Sequence, residues 1–592
     1  MYDTGFWADH FTYILDLINN FLEIYPDWEH RMLYQSEVPY FFSPAFVQPR
    51  DQKYMVSTTF DGRGKHIRQL NSTVLDEEKQ LYRERFIETS TNWFSLESDW
   101  QHDANGAPFK SSIIAKLLVL GVLKFATRDP FGVGIEYEGG RPGWNDANNG
   151  LPSMIGSGFP ELCELAALLR YIRDISKRFH DVIEIPTEVI RLMQVINEAL
   201  KDLNQELSSW QWIRQKKEFF LVPDFFFEYW DKVASAREQY KANTKITFSG
   251  ETAALNWRDT VRIMDNWLDE ISRGIALAHE FGFSGDDDSE GDQTRIPPTY
   301  FAYKVVHWEE TGDYTGDGFH LVKPLQLKLQ IFPLFLEGPT RLLKIVNNET
   351  ALALYDKVRH SSLRDEGLKM YTISASLQDQ SVDMGREIGF PAGWYENQSV
   401  WLHMSYKFYL ELLRQGFFEI FFSEMQQGGL LPFMDPALYG RSLMECSSFI
   451  ASSAFEDPSI QGRGFLGRLS GATAEFMSMW VLMMLGPQTF SVDPHSGELH
   501  FQLLPALPRW LFDDHSFPGQ VLISFKLFGT IDVRYFHKRG QENLYRVPPS
   551  RYEVVLRDGQ VLRVDGPSLP APIAEKIRRI VFVSSIDVFF EY

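Results

Sequence analysis

The sequence predicts a mainly α protein: an (α/α)6-type helical barrel followed by a smaller C-terminal all-β domain. Two observations support this fold class. Helical patterns follow one another, with loops between them, through most of the first 486 residues. Near Pro487 the composition changes to short apolar runs divided by Pro, Gly and Asp-Gly turns. We therefore expect an α/α barrel domain at 1–486 and a β-sandwich-like domain at 487–592.

The individual elements follow from apolar spacing. Phe11, Leu15 and Ile18 predict a first helix that ends near Pro26. Further helices are predicted at roughly 75–93, 110–127, 159–178, 186–208, 224–243, 257–281, 325–358, 400–416 and 472–486. A short strand is predicted at 297–308, and an acidic loop at 286–292. In the second domain, strands are predicted at 499–504, 520–527, 530–536, 552–557 and 579–590.

Composition excludes several classes of protein. A chain of 592 residues is too long for one ordinary core, so two or three domains are expected. The net charge of −21 argues against a nucleic-acid partner, which needs clustered Lys and Arg. Cys163 and Cys446 are the only cysteines, which fits a reducing cytosol. Without a signal peptide or a membrane-length apolar run, the sequence predicts a cytoplasmic protein with no membrane partner.

The polar turn Arg141–Gly150 is the most informative stretch, because it lies between two apolar helical patterns. It places Trp144 two residues before Asp146. An indole face can stack on a pyranose ring, and a carboxyl group can protonate a glycosidic oxygen, so the turn is a candidate sugar site. The alternative is a structural turn with a buried Trp and Asn or Asp side chains that cap backbone amides.

Two later stretches add further candidates. Glu396 and His403 would share a face if the segment between them is helical, although a lone histidine is more often structural. Ser470 and Gly471 precede an apolar helix, and free amides at a helix N-terminus can bind an anion. The simpler alternative there is an ordinary N-cap. No Walker, dinucleotide-binding or zinc-protease motif is present.

Together these stretches resemble the inverting β-glycoside phosphorylases, the family of cellobiose, chitobiose and oligoglucan phosphorylases. The resemblance rests on Trp144-Asn145-Asp146, on Glu396-Asn397 followed by His403, and on Ser470-Gly471, in the family's order. Within that family, the sequence most resembles the long oligosaccharide phosphorylases of the cellobiose phosphorylase-like group.

The resemblance implies phosphorolysis of β-linked gluco-oligosaccharides with inversion, giving α-glucose 1-phosphate reversibly. Asp146 would be the general acid. The substrate-binding residues it implies are Trp144, Asn145, Glu396, Asp9 and Asp16. The phosphate-binding residues would be His403, Ser470, Gly471 and an arginine, for which we select Arg170. Inorganic phosphate is then a co-substrate, with no cofactor and no metal, and the family's usual homodimer is a candidate assembly.

One departure from the family keeps alternatives open. Family members carry a large N-terminal β-sandwich domain, whereas here the helical region begins near residue 5. The chain is therefore expected to be a fragment or a shortened homologue. An inverting hydrolase with Glu396 as base and a non-catalytic carbohydrate-binding protein are the alternatives to a phosphorylase.

Overall fold

The structure is a computed structural model that describes residues 8–59, 62, 64–70, 72–89, 99–209, 221–283, 295–429, 436–439, 447–467, 470–517, 520–538 and 543–590. The acidic loop predicted at 286–292 lies outside these residues. The chain divides into two compact units. The first unit contains residues 1–14, 31–401 and 449–463, and the second contains 15–30, 402–448 and 464–592.

Long amphipathic helices make up much of the first unit. Ser112, Asn256 and Asn347 each cap the helix that follows, because their side chains accept a backbone N–H of its first turn. The helices are Arg50–Lys53, Glu77–Thr89, Ile113–Phe125, Phe159–Phe179, Thr187–Ser209, Asp224–Asn243, Trp257–Glu280, Glu337–Leu343 and Asn348–Arg359. Single turns of 3₁₀ or π helix lie at Ala8–Thr12, Arg31–Gln35, Leu151–Met154, Val382–Met384 and Arg386–Gly389. The helix Tyr13–Leu22 begins in the first unit and ends in the second.

The first unit also contains a six-stranded antiparallel sheet. Its strands, in spatial order, are Lys65–Gln69, Tyr54–Thr58, His320–Ile331, Tyr300–Tyr314, Gly156–Gly158 and Ile135–Glu136. The short strand Gly156–Gly158 pairs with residues 300–302, so it fixes the end of the stretch that begins with the Arg141–Gly150 turn. Smaller pairs join 37–39 to 110–112, 45–47 to 73–75, 102–103 to 247–248, 183–186 to 252–255, 364–365 to 370–371 and 400–401 to 449–450.

The predicted fold class is wrong. Helices account for 44% and strands for 26% of the structure, the strands form many small sheets, and the described residues indicate no helical barrel. The clearest error is the helix predicted at 325–358, which begins with the strand His320–Ile331 and continues as two shorter helices. Leu327, Leu329 and Ile331 alternate with polar residues, and this period of two is the pattern of a strand. The strand predicted at 297–308 is also longer, Tyr300–Tyr314.

The second unit combines helices with a larger sheet. Its helices are Leu402–Arg414, Phe418–Glu424, Pro436–Tyr439, Ser470–Leu485 and Ala571–Arg578, with single turns at Pro26–Trp28, Met425–Gly429 and Arg509–Leu511. The sheet runs in the order 513–517, 520–527, 531–538, 583–590, 551–556 and 561–565. Two strand pairs join 490–492 to 499–501 and 506–507 to 544–545. This unit therefore includes residues on both sides of the boundary predicted at 486/487.

Within the described ranges, no helix combines the length and the apolar character that crossing a bilayer requires.

Candidate functional site

The 141–150 loop (Arg141–Gly150) forms no regular helix or strand, as its Gly and Pro residues predicted. It lies directly over buried polar groups of the first unit. A Cβ atom at Gly143 would lie 2.5 Å from Oε1 of Glu161 and 2.7 Å from the hydroxyl of Tyr137. A side chain at position 143 would therefore displace these two buried polar groups, whereas glycine lets the backbone before Trp144 approach them.

A second segment, residues 383–387, binds along the loop. Three backbone N–H groups make the connection: Gly150 donates to the Met384 carbonyl at 2.7 Å, Arg386 to Oδ1 of Asn149 at 3.0 Å, and Glu387 to the Ala147 carbonyl at 3.2 Å. Leu151 and Met384 belong to one buried apolar cluster with Tyr137 and Tyr300. Hydrogen bonds and apolar burial thus hold the 383–387 segment against the loop.

Two glycines permit this close approach. A Cβ atom at Gly150 would lie 2.0 Å from the Asp383 carbonyl oxygen. Gly385 has a φ of +132°, and its Cβ atom would lie 2.4 Å from Oδ1 of Asn149. Neither position has room for a side chain. Arg386, which follows Gly385, is therefore placed at a fixed distance from the loop.

Arg386 stands between two carboxyl groups. Its Nη2 atom lies 3.0 Å from Oδ1 of Asp146 and 4.0 Å from Oε2 of Glu396. The side chain of Asp146 is 43% exposed, whereas that of Glu396 is only 6% exposed. One accessible carboxyl and one buried carboxyl therefore face the same guanidinium group. We call these two residues the Asp146–Glu396 pair.

A strained turn presents Glu396. Tyr395 and Gln398 both have positive φ, at 54° and 55°, which is unusual for residues with a Cβ atom. The turn is closed by the N–H of Gly393, which donates to the Asn397 carbonyl at 2.9 Å. The helical face that Glu396 and His403 were expected to share does not exist, because the helix begins only at Leu402.

The electrostatic environment separates the two carboxyls. Burial, the charge of Asp146 and a hydrogen bond with Asp146 raise the pKa of Glu396 to about 8, while Arg386 acts in the opposite direction. Oε2 of Glu396 is buried and accepts no hydrogen bond from an N–H or a hydroxyl group of the described residues. A buried oxygen without a donor favours the neutral acid, so Glu396 holds a proton at pH 7.

A further buried carboxyl, that of Glu387, contacts the loop through Asn145. Oε1 of Glu387 accepts a hydrogen bond of 3.1 Å from the side-chain amide of Asn145. Burial raises the pKa of Glu387 well above its ordinary value. Asn145, predicted to bind substrate, is itself buried and contacts Glu387 in this structure.

Other predicted residues of the first unit lie in different surroundings. Trp144 is half-buried. Asp9 is buried and accepts a hydrogen bond of 3.1 Å from the Tyr13 hydroxyl. Arg170, selected as the phosphate-binding arginine, donates to the Ile345 carbonyl at 2.6 Å. The arginine that contacts Asp146 is Arg386.

The remaining predicted residues belong to the second unit. His403 is the second residue of the helix Leu402–Arg414, and its Nε2 atom lies 3.9 Å from Oε1 of Glu475. Nζ of Lys407 binds the same oxygen. Ser470 and Gly471 begin the helix Ser470–Leu485, which carries Glu475. Asp16 is half-buried on the helix Tyr13–Leu22, and its charge acts on Arg414.

Sequence reasoning missed Arg386 and Glu387. Both are remote in sequence from the loop that they contact, and Glu387 lies 242 positions from its partner Asn145. The only local signal is a pair of flanking glycines in Gly385-Arg-Glu-Ile-Gly389, which marks turns but not chemistry. A three-dimensional contact was needed to connect this stretch with the loop.

The geometry can deliver one proton to a bound molecule. Two carboxyls and one guanidinium group balance in charge when the carboxyls hold a single proton between them. In the part of the chain that the structure describes, no group of three or more His, Cys, Asp or Glu residues is arranged to hold a metal ion. A scan against protein-family models and a search of curated proteins returned no match to this chain.

Proposed function

We propose that this chain is an inverting β-glycoside phosphorylase. It would cleave β-linked gluco-oligosaccharides with inorganic phosphate and release α-glucose 1-phosphate, and it would catalyse the reverse synthesis. The observation that carries this proposal is the Asp146–Glu396 pair, one accessible and one buried carboxyl that face a single arginine. The resemblance of the surrounding motifs supplies the substrate class.

The protonation of the buried carboxyl favours a one-acid reaction. An inverting hydrolase needs an ionised carboxylate as its base, in addition to its acid. Burial raises the pKa of Glu396 to about 8, so Glu396 is not ionised at pH 7 and cannot act as that base. A phosphorylase needs only the acid, because phosphate is already an anionic nucleophile.

Each sugar-side residue then has a physical task. Asp146 is accessible and would protonate the glycosidic oxygen. Trp144, two positions before it and half-buried, would pack against the donor sugar ring. Asn145 would act indirectly, because its amide is held by Glu387 and fixes the loop between these two residues.

The proposed phosphate ligands are His403, Ser470 and Gly471. The first turn of a helix offers backbone amides and a partial positive charge that favours anions by about 0.3–1 kcal/mol. Ser470 and Gly471 begin such a helix, of sixteen residues. An imidazole adds a charge-assisted hydrogen bond, which is roughly twice as strong as a neutral one.

The test is to incubate the purified chain with β-linked gluco-oligosaccharides, with and without inorganic phosphate. We expect α-glucose 1-phosphate to form only when phosphate is present, and oligosaccharide to form when α-glucose 1-phosphate and an acceptor are supplied. Free glucose released at a rate indifferent to phosphate would establish hydrolysis instead. If neither product forms with any linkage, the non-catalytic carbohydrate-binding alternative is favoured, and calorimetric titration with the same sugars decides it.

A further inference from the structure

We propose that Glu396 stores the proton that Asp146 delivers, so that Glu396 acts as a positioning residue through Asp146. This inference rests on the proposed function, since it concerns how the acid of that reaction is loaded. It differs from the sugar-binding role that the resemblance implies for Glu396, and it assigns Arg386 a task in keeping the pair at one proton.

Accessibility separates the two carboxyls. The side chain of Asp146 is 43% exposed and can meet a glycosidic oxygen, whereas the side chain of Glu396 is 6% exposed. A substrate therefore reaches Asp146 first. Glu396 can pass a proton outward through its neighbour, because both carboxyls lie against the same guanidinium nitrogen of Arg386, at 3.0 Å and 4.0 Å. A hydrogen bond between two carboxyls requires a proton on one of them.

Charge balance fixes how many protons the pair holds. Arg386 lies 3.0 Å from the Asp146 carboxyl and 4.0 Å from the Glu396 carboxyl, so a single positive charge faces both. Two carboxylates here would leave one negative charge uncompensated at a buried position, which is costly. Asp146, closer to the guanidinium group and to solvent, carries the negative charge, and Glu396 carries the proton.

Four ionisable groups among the described residues face Glu396. Burial is the main cause that raises the pKa of Glu396, the charge of Asp146 raises it further and Arg386 lowers it, giving a value of about 8. Glu387 and Tyr395 also interact electrostatically with Glu396, and the pKa of each is raised in part by that carboxyl. The neighbours of Glu396 thus include two acids and a phenol against one arginine, which favours the protonated form.

The proton transfers balance over one turnover. The bond from the anomeric carbon to the leaving oxygen breaks, the leaving oxygen takes a proton from Asp146, and Asp146 takes one from Glu396. A phosphate oxygen forms the new bond to the anomeric carbon. Hydrogen phosphate loses its own proton in becoming the sugar phosphate. A proton returned through the accessible Asp146 restores the pair to its one-proton state.

Infrared difference spectroscopy of the free protein tests where the proton lies without any substrate. Between pH 6 and pH 10 we expect the wild type to lose a larger protonated-carboxyl signal than Glu396→Gln, because Glu161 loses its proton in the same range in both proteins. The difference between the two signals should have a midpoint near pH 8. Asp146→Asn should lower that midpoint, because removal of the Asp146 charge removes a cause of the raised pKa. Glu366→Gln, at a side chain that is 71% exposed, is the matched control and should leave the signal unchanged. Identical signals in wild type and Glu396→Gln would overturn the proposal, whatever the turnover.

Turnover supplies the second arm. The pH profile on an oligosaccharide should show an alkaline limb near pH 8, and Glu396→Gln should move that limb to lower pH by about one unit or more. The leaving group of a glycosyl fluoride needs little protonation, so the pH profile on this substrate should change little between wild type and Glu396→Gln. The ionisation of phosphate affects both substrates, and the fluoride profile therefore corrects for it. A raised KM for the sugar with an unmoved alkaline limb would show that Glu396 only binds substrate. If the wild type forms no sugar phosphate, the proposed function fails, while the infrared result still decides where the proton lies.

Discussion

Two regions of this protein place carboxyl groups against basic side chains in opposite proportions. In the first unit, Asp146 and Glu396 share one arginine, Arg386. In the second unit, Lys407 and His403 share one carboxylate, Glu475. The first arrangement places two carboxyls against one basic group, and the second places two basic groups against one carboxylate.

The difference shows how local charge balance assigns chemistry. An excess of carboxyls in a buried setting is relieved by a retained proton, so the first region can donate one. Basic groups that converge on one carboxylate can also attract a mobile anion, which agrees with the proposal of His403 as a phosphate ligand. Under the proposed function, the same residue types support acid chemistry in one region and anion binding in the other.

Replacement of Asp146, the accessible carboxyl of the first region, should have the largest effect, and we expect it on turnover. Asp146→Asn preserves shape but cannot donate its proton, so turnover on oligosaccharides with poor leaving groups should fall by ~10²–10⁴-fold. Glycosyl fluoride should lose far less. The measurement is steady-state kinetics on both substrates, and equal losses would mean that Asp146 has only a structural role.

The packing that positions Arg386 gives the next effect. Gly150→Ala places a Cβ atom 2.0 Å from the Asp383 carbonyl oxygen, so the two segments must separate. We expect a loss of roughly 1–3 kcal/mol in the free energy of unfolding, measured by urea denaturation. The matched control is Gly389→Ala in the same stretch of chain, where a Cβ atom meets nothing within 4 Å. Equal losses in the two variants would show that the contact at Gly150 contributes nothing specific.

The second region is tested through phosphate. His403→Ala removes a charge-assisted hydrogen bond, so the KM for phosphate should rise roughly tenfold while the KM for the sugar stays constant. His495→Ala, at an exposed histidine of the same unit, serves as the control. A parallel rise in both constants would show that His403 does not select the anion.

The smallest effect is a pH dependence of stability that arises in the first unit. Glu161 is buried beneath the 141–150 loop, and burial raises its pKa from 4.5 to about 8. Between these values the unfolded chain has lost the proton that the folded protein keeps, so stability falls as pH rises. The expected slope is on the order of 1 kcal/mol per pH unit, and Glu161→Gln should reduce it. Urea denaturation at several pH values measures the slope, and an unchanged slope in the variant would contradict the neutral state of Glu161.

Local chemistry in the sequence predicted the turn and many of the helices. The Gly and Pro residues of Arg141–Gly150 exclude regular structure, and apolar spacing identified helices such as Phe159–Phe179 closely. Asp146 and Trp144 could be selected as candidates for an acid and a sugar-stacking residue because both lie within one short turn. These features depend on residues a few positions apart.

One local pattern was assigned wrongly. The leucines of His320–Ile331 alternate with Gln and Lys, which is typical of a strand, but they were assigned to a helix, so the central sheet was not predicted.

Longer-range features could not be predicted from local patterns. Arg386 has no distinctive neighbours in sequence. Its contact with Asp146 depends on Gly150 and Gly385, whose close approach is set by tertiary packing.

The long sequence separation between the 141–150 loop and the segment that binds it also determines the order in which the two are synthesised. Asn145 and Glu387 are 242 positions apart, so a growing chain exposes the loop well before the segment that binds it. At typical elongation rates this interval is roughly 10–50 s. Throughout that time Asp146 lacks the arginine that it contacts in the folded protein. The Asp146–Glu396 pair is therefore assembled late, and under the proposed function a nascent chain is inert toward oligosaccharides until the 383–396 stretch has been synthesised and has docked.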